Sequence, residues 1–216
     1  MILYKKVLFL LVLIFLIPTY IFSQSSFQTW PTIEVSGEII DDLDIKFKFR
    51  SKYDHDEKGF DATWFNMGLS YKYEKMSFGL FFRQIYAMKD DDRFAELRPH
   101  FDLSYKINDN LKLRLRNEYR IFELNNNIFR YRLRLAYSLN VWDNYNPFFQ
   151  NEINFSEGSL VRDRIILGLS IKIKDSPFQI APSYILESNR KESSSETNSF
   201  LWSFRNILNI SCNIKF

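Results

Sequence analysis

The stretch LKLRLRNEYRIFELNNNIFRYRLRLAYSLN, residues 111–140, decides the fold class. Leu111, Leu113, Leu115, Tyr119 and Ile121 fall on one parity and Lys112, Arg114, Arg116, Glu118 and Arg120 on the other. After a polar break, Phe129, Tyr131, Leu133, Leu135, Tyr137 and Leu139 alternate with Arg130, Arg132, Arg134 and Ser138. A side-chain period of two is the signature of a β-strand, because successive side chains leave opposite faces of the extended backbone. Each run is 11 to 13 residues long, about what a tilted strand needs to cross a bilayer.

Working outward, the same alternation recurs. Leu43, Ile45, Phe47 and Phe49 oppose Asp44, Lys46, Lys48 and Arg50. Ala95, Leu97, Pro99, Phe101, Leu103 and Tyr105 oppose Glu96, Arg98, His100, Asp102, Ser104 and Lys106. Continuing in this way predicts strands at 31–39, 43–53, 62–73, 76–86, 94–107, 111–123, 128–140, 147–156, 162–174, 177–187 and 199–216. The connections read as tight at 74–75, 108–110 and 175–176 and as longer and polar at 54–61, 87–93 and 188–198. Short turns at one end and long loops at the other fit an all-β, antiparallel, up-and-down transmembrane barrel. Eleven segments break the even-number rule for such barrels, so ten crossing strands are expected, with 31–39 falling short, and twelve are the alternative. An even count places both termini on the periplasmic side. A soluble barrel or sandwich alternates too. The number of long strands, the 22 Phe and 12 Tyr against 6 Gly, and the leader favour the membrane.

Residues 1–23 have a basic start at Lys5 and Lys6, an apolar run from Val7 to Ile17, a breaker at Pro18 and a small Ser23. They read as a cleaved signal peptide, leaving residues 24–216 as one barrel domain and an outer-membrane location. A membrane-anchoring helix is the alternative, but Pro18 and the polar segment from Gln24 cut the apolar run short. The chain carries 29 Lys+Arg and 26 Asp+Glu. Without Lys5 and Lys6 the balance is 27 against 26, which excludes a nucleic-acid-binding excess. Cys212 is the only cysteine, so no internal disulfide forms.

If the apolar faces meet lipid, the inward faces are basic and the acidic residues collect in turns and loops. The inward set is led by Arg98, Arg114, Arg116, Arg120, Arg130, Arg132, Arg134, Arg162 and Arg164, with Glu96, Glu118 and Glu152 as acidic partners. A charge removed from water costs several kcal/mol unless paired. These arginines therefore need carboxylates, a hydrated channel or a bound anion. Two roles follow: a clamped network filling a narrow barrel, or a lumen that binds or conducts small anions.

Glu96-Leu97-Arg98-Pro99, Arg116-Asn117-Glu118-Tyr119-Arg120, Arg130-Tyr131-Arg132-Leu133-Arg134, Asn151-Glu152-Ile153-Asn154-Phe155 and Arg162-Asp163-Arg164 with Gly168 lie in order along the chain. In these pieces the chain resembles a family of small bacterial outer-membrane β-barrel proteins of unknown function. The resemblance implies a barrel in the outer membrane and brings no activity.

The rival class is an enzyme that hydrolyses or transfers the acyl chains of envelope lipids. Its one candidate cluster, His100, Asp102 and Ser104, sits at i, i+2 and i+4 of one strand, about 7 Å between neighbours and facing the lumen, which reads as polar filler. Asp54, Asp56, Glu57 and Asp61, and Asp90, Asp91 and Asp92, lack the glycine pattern of a calcium loop and read as solvated charge. No cofactor or metal is expected. Trp30, Trp64, Trp142 and Trp202 lie near strand ends, where indoles favour the membrane interface, and ordinary packing explains them nearly as well. The last strand alternates to a terminal aromatic, Phe216, which points to recognition by the outer-membrane assembly machinery. The expected partners are that machinery and outer-membrane lipids, with no nucleic acid.

Overall fold

The computed structural model describes residues 26–89, 92–123, 126–140, 142–191 and 201–216. The expected leader at 1–23 lies outside them, as do Asp90 and Asp91. Eleven strands follow one another: β1 (Ser26–Ile40), β2 (Leu43–Asp54), β3 (Gly59–Tyr73), β4 (Met76–Lys89), β5 (Asp92–Lys106), β6 (Leu111–Phe122), β7 (Ile128–Ser138), β8 (Tyr145–Ser156), β9 (Ser159–Lys172), β10 (Phe178–Lys191) and β11 (Leu201–Lys215). Each pairs antiparallel with its neighbour in sequence, and β1 closes on β11 to complete a barrel.

The closure corrects the expected strand number. The segment at 31–39 is a full strand of 15 residues that begins at Ser26. The sequence reading starts it at Pro31 because proline, lacking an N–H, marks a strand beginning. In the barrel Pro31 is opposite Ile210 of β11, and the β1–β2 ladder simply skips from Thr29 to Thr32. An odd number of up-and-down strands makes the first and last run the same way, so the seam is parallel, in register from Ser26 opposite Arg205 to Ser36 opposite Lys215. It also puts Ser26 and Phe216 at opposite ends of the barrel, not on one side as an even count requires.

The turns at 41–42 and 74–75 mark one end, here the turn end. At the far end two of the connections are shorter than the sequence suggests. Strands β4 and β5 extend to Lys89 and from Asp92, and the 54–61 loop shrinks to 55–58, because polar residues at the barrel rim remain in the ladder. Glu157 and Gly158 both have positive φ, 51° and 74°. That is the mirror-image turn whose twist matches a two-residue hairpin, and Gly158 adopts it without strain.

The alternation resolves as expected. Phe47, Phe65, Met67, Leu80, Phe82, Leu115, Leu133 and Leu135 are exposed on the outer surface, while charged residues of the opposite parity are buried in the lumen. The interior also has an apolar part. Trp30, Ile166, Ile185 and Ile207, with Phe148 against them, fill the wall made by β1 and β8–β11, and Ala62, Trp64 and Ile85 pack between β3 and β4. Trp30 and Trp64 are thus interior residues, 1% and 6% exposed, and not interfacial anchors. Their parity, shared with Glu34 and Asn66, turns them inward. Trp142 and Trp202 are exposed on the outside.

Candidate functional site: the arginine-lined lumen

Antiparallel pairing sets inward residues of adjacent strands side by side, so strands that carry Arg at alternate positions stack guanidinium groups into layers. Arg116 is opposite Arg132, and Arg114 opposite Arg134. Unrelieved, such layers repel. Glu118 is opposite Arg130, Glu152 lies between Arg134 and Arg164, and Glu187 between Arg164 and Arg205. Each carboxylate thus falls in a gap between cations.

Glu118, Glu152 and Glu187 have no solvent exposure. Arg130 Nε and Nη2 donate to Glu118 Oε2 at 2.8 and 2.5 Å, and Arg132 Nη2 donates to Oε1 at 2.5 Å. Arg134 Nε reaches Glu152 Oε2 at 2.9 Å, and Arg164 Nη1 reaches its Oε1 at 3.1 Å. Arg164 Nε donates to Glu187 Oε2 at 2.6 Å, with Arg205 Nη1 3.3 Å from Oε1. Arg116 grips Asp102 through Nε and Nη2 at 2.5 and 2.7 Å and lies 3.7 Å from Glu118. One chain of ion pairs therefore runs Asp102, Arg116, Glu118, Arg132, Glu152, Arg164, Glu187 across six strands, β5 to β10. Glu96, held by Arg98 and Arg120, forms a separate cluster. Guanidinium forks suit this work because each offers five donors in one plane to more than one carboxylate.

Every inward residue singled out from the sequence belongs to this arrangement: Glu96, Arg98, Arg114, Arg116, Glu118, Arg120, Arg130, Arg132, Arg134, Glu152, Arg162 and Arg164. Four further residues that the alternation turns inward, the carboxylates Asp102 and Glu187 and the arginines Arg83 and Arg205, join it as well. All four share the parity of a named neighbour, which is the signal that finds them. Among the described residues, eleven guanidinium groups share the five carboxylates of Glu96, Asp102, Glu118, Glu152 and Glu187. Positive charge is in excess.

That excess borders open space. A cavity of about 780 Å³ is lined by Lys46, Ser70, Ser77 and Lys112 toward the turn end and by Glu57, Asp61, Met88 and Glu123 toward the far end. Between them it is bordered by Arg50, Arg83, Arg98, Arg114, Arg116, Arg132 and Arg164. It follows β1–β7 and β9, and shares β1 and β9 with the filled wall.

The His100, Asp102 and Ser104 cluster does not assemble as a catalytic relay. Asp102 is taken up by Arg116, His100 Nδ1 lies 3.1 Å from the Arg98 carbonyl oxygen, and its ring stacks on Phe81 at 5.3 Å. Asp54 Oδ1 accepts the backbone N–H groups of Asp56 and Glu57, and Oδ2 accepts from Gln28 of β1, so Asp54 is a buried, hydrogen-bonded group and not the solvated charge expected from the sequence. At the turn end, Lys106 donates to Asp109 at 2.7 Å and holds that carboxyl below its ordinary range.

Residues 27–198 match the family described as protein of unknown function (DUF2490). No curated protein matches the chain. Among solved structures it is similar to the anion-selective porin from Comamonas acidovorans at 14% identity and a TM-score of 0.39, over 76% of this chain and 55% of that porin. The chain therefore spans about half the length of that porin.

Proposed function

The chain belongs to the DUF2490 family, and from that premise we propose that it is an outer-membrane β-barrel, not an enzyme, whose arginine-lined lumen binds small anions and lets them pass. The observation that carries this reading is the cavity bordered along its length by more cations than the buried carboxylates neutralise. Spread over the roughly 25 Å height of a membrane barrel, its 780 Å³ gives a mean cross-section of about 30 Å², room for a small ion with some of its water. A confined lumen of one sign of charge concentrates counter-ions and turns away ions of its own sign.

Placement in the outer membrane is supported by the outer surface. Leu115, Leu133 and Leu135 form an aliphatic middle, with Tyr71, Tyr73, Tyr105, Tyr137 and Tyr145 toward the turn end and Phe60, Phe129 and Trp202 toward the far end. Aromatic girdles around an apolar band match lipid with headgroups on either side. Its partners there are outer-membrane lipids and, for the strand ending at Phe216, the assembly machinery.

A second reading has its own observation. Glu118, Glu152 and Glu187 are sealed and multiply clamped, as in a purely structural lumen. Vesicles loaded with a chloride-quenched dye separate the two. The conducting lumen gives chloride entry well above protein-free vesicles and faster than potassium movement, and the structural lumen gives entry equal to protein-free vesicles.

A further inference from the structure

On one wall two of the cations have no carboxylate partner among the described residues. Strand β2 turns Lys46, Lys48, Arg50 and Lys52 into the cavity at every second residue, a step of about 7 Å. Toward the turn end they are paired: Lys46 lies 3.7 Å from Asp44, and Lys48 donates to Glu34 at 2.7 Å. Arg50 and Lys52 make no ion pair among the described residues. Arg50 donates its Nε to Thr32 Oγ1 at 2.8 Å, and its guanidinium lies 4.9 Å from the Trp30 ring and 5.1 Å from the Trp64 ring. Lys52 Nζ is 4.8 Å from the Trp30 ring.

The indoles are fixed supports. Trp30 Nε1 donates to Gln28 Oε1 at 2.8 Å, and Gln28 Nε2 donates to Asp54 Oδ2 at 2.7 Å. Trp64 packs with Ala62 and Ile85 and carries Arg83 on its ring at 4.4 Å. An indole face holds a cation without consuming its N–H donors. The Nη groups of Arg50 and the ammonium of Lys52 therefore remain free to donate into the cavity. The β2–β3 register shifts between Lys52 and Tyr53, a local irregularity of the kind that re-aims side chains.

We propose that Arg50 and Lys52, held on Trp30 and Trp64, form the binding position of the lumen for a small oxyanion of the phosphate or sulfate type. This rests on the anion reading of the lumen and names its ligand class and place. A planar fork beside an ammonium matches several anionic oxygens at once, which a single halide does not offer. Lys46 and Lys48 of the same strand instead face the carboxylates of Asp44 and Glu34, which oppose an added anion.

The site reports on itself, since Trp30 and Trp64 line it and the other tryptophans, Trp142 and Trp202, are on the outside. In a Trp142→Phe/Trp202→Phe background, the folded protein in detergent is titrated with inorganic phosphate, and separately with sodium chloride, at constant ionic strength. The proposal expects a saturable change in tryptophan fluorescence with phosphate, weakened at least tenfold in Arg50→Gln and in Lys52→Gln, partly kept in Arg50→Lys and unchanged in Lys46→Gln. No saturable change, an equal response to chloride, or a response untouched by both neutral variants overturns it. Binding without ion passage in vesicles would leave this site standing and remove the conducting lumen.

Discussion

Arg132 donates its Nη2 to Glu118 Oε1 at 2.5 Å inside a wall from which Glu118 is wholly shut off from solvent. The pair joins β6 to β7, and Arg132 also reaches Glu152 on β8 at 3.4 Å. Removing one member of such a pair strands the other as an uncompensated buried charge. Glu118→Ala is expected to destabilise the barrel by about 3–5 kcal/mol. Glu34, paired with Lys48 where both are about a third exposed, should cost less than about 1 kcal/mol on the same change. Urea unfolding in lipid vesicles measures both, and equal costs would contradict the clamped network.

The parallel seam is directly testable because the chain has one cysteine. Ile33 is opposite Cys212 across β1 and β11, so Ile33→Cys should form a disulfide with it under mild oxidation, adjacent strands bringing Cα atoms to about 5 Å. Val35, opposite Ile214, should not crosslink when changed to Cys. Non-reducing electrophoresis reads the result, and efficient crosslinking from position 35 would disprove this register.

Ser104 lies in the lumen beside an Asp102 already committed to Arg116, so Ser104→Ala should leave the lipid composition of the envelope unchanged. Mass spectrometry of lipids from cells carrying either form measures this. A shift in acyl chains caused by the wild type and lost in the variant would restore the enzyme reading.

A Cβ on Gly68 would fall on the carbonyl oxygen of Leu80 and the ring of Phe81, whereas one on Gly59 would meet nothing closer than 3.7 Å. Gly68→Ala is expected to cost about 1–3 kcal/mol through overpacking, and Gly59→Ala to fall within about 0.5 kcal/mol of the wild type. Comparing their unfolding midpoints checks the packing of Phe81 across β3 and β4.

The strands from Leu111 to Ser138 were legible because strict alternation leaves one possible facing, and Arg114, Glu118, Arg130 and Arg134 follow from it. The closure was not, since pairing Ser36 with Lys215 joins the two ends of the described chain and has no local signature. Trp30 and Trp64 were ambiguous for a different reason: an aromatic near a strand end suits the interface and the interior equally, and only its parity with Glu34 and Asn66 tells them apart. Ile166, Ile185 and Ile207 likewise lie on inward faces, where apolar residues resemble the outer face of a strand read alone. Arg50 stood out as inward from the sequence, but its lack of a carboxylate depends on what β1 and β3 place around it.

Planar-bilayer recording of the purified barrel under a salt gradient tests the central claim most directly. Stable conductance steps with a reversal potential on the anion side, moving toward zero in Arg50→Gln/Lys52→Gln, are the predicted result. A folded, inserted barrel that stays silent, or one that prefers cations, would contradict it.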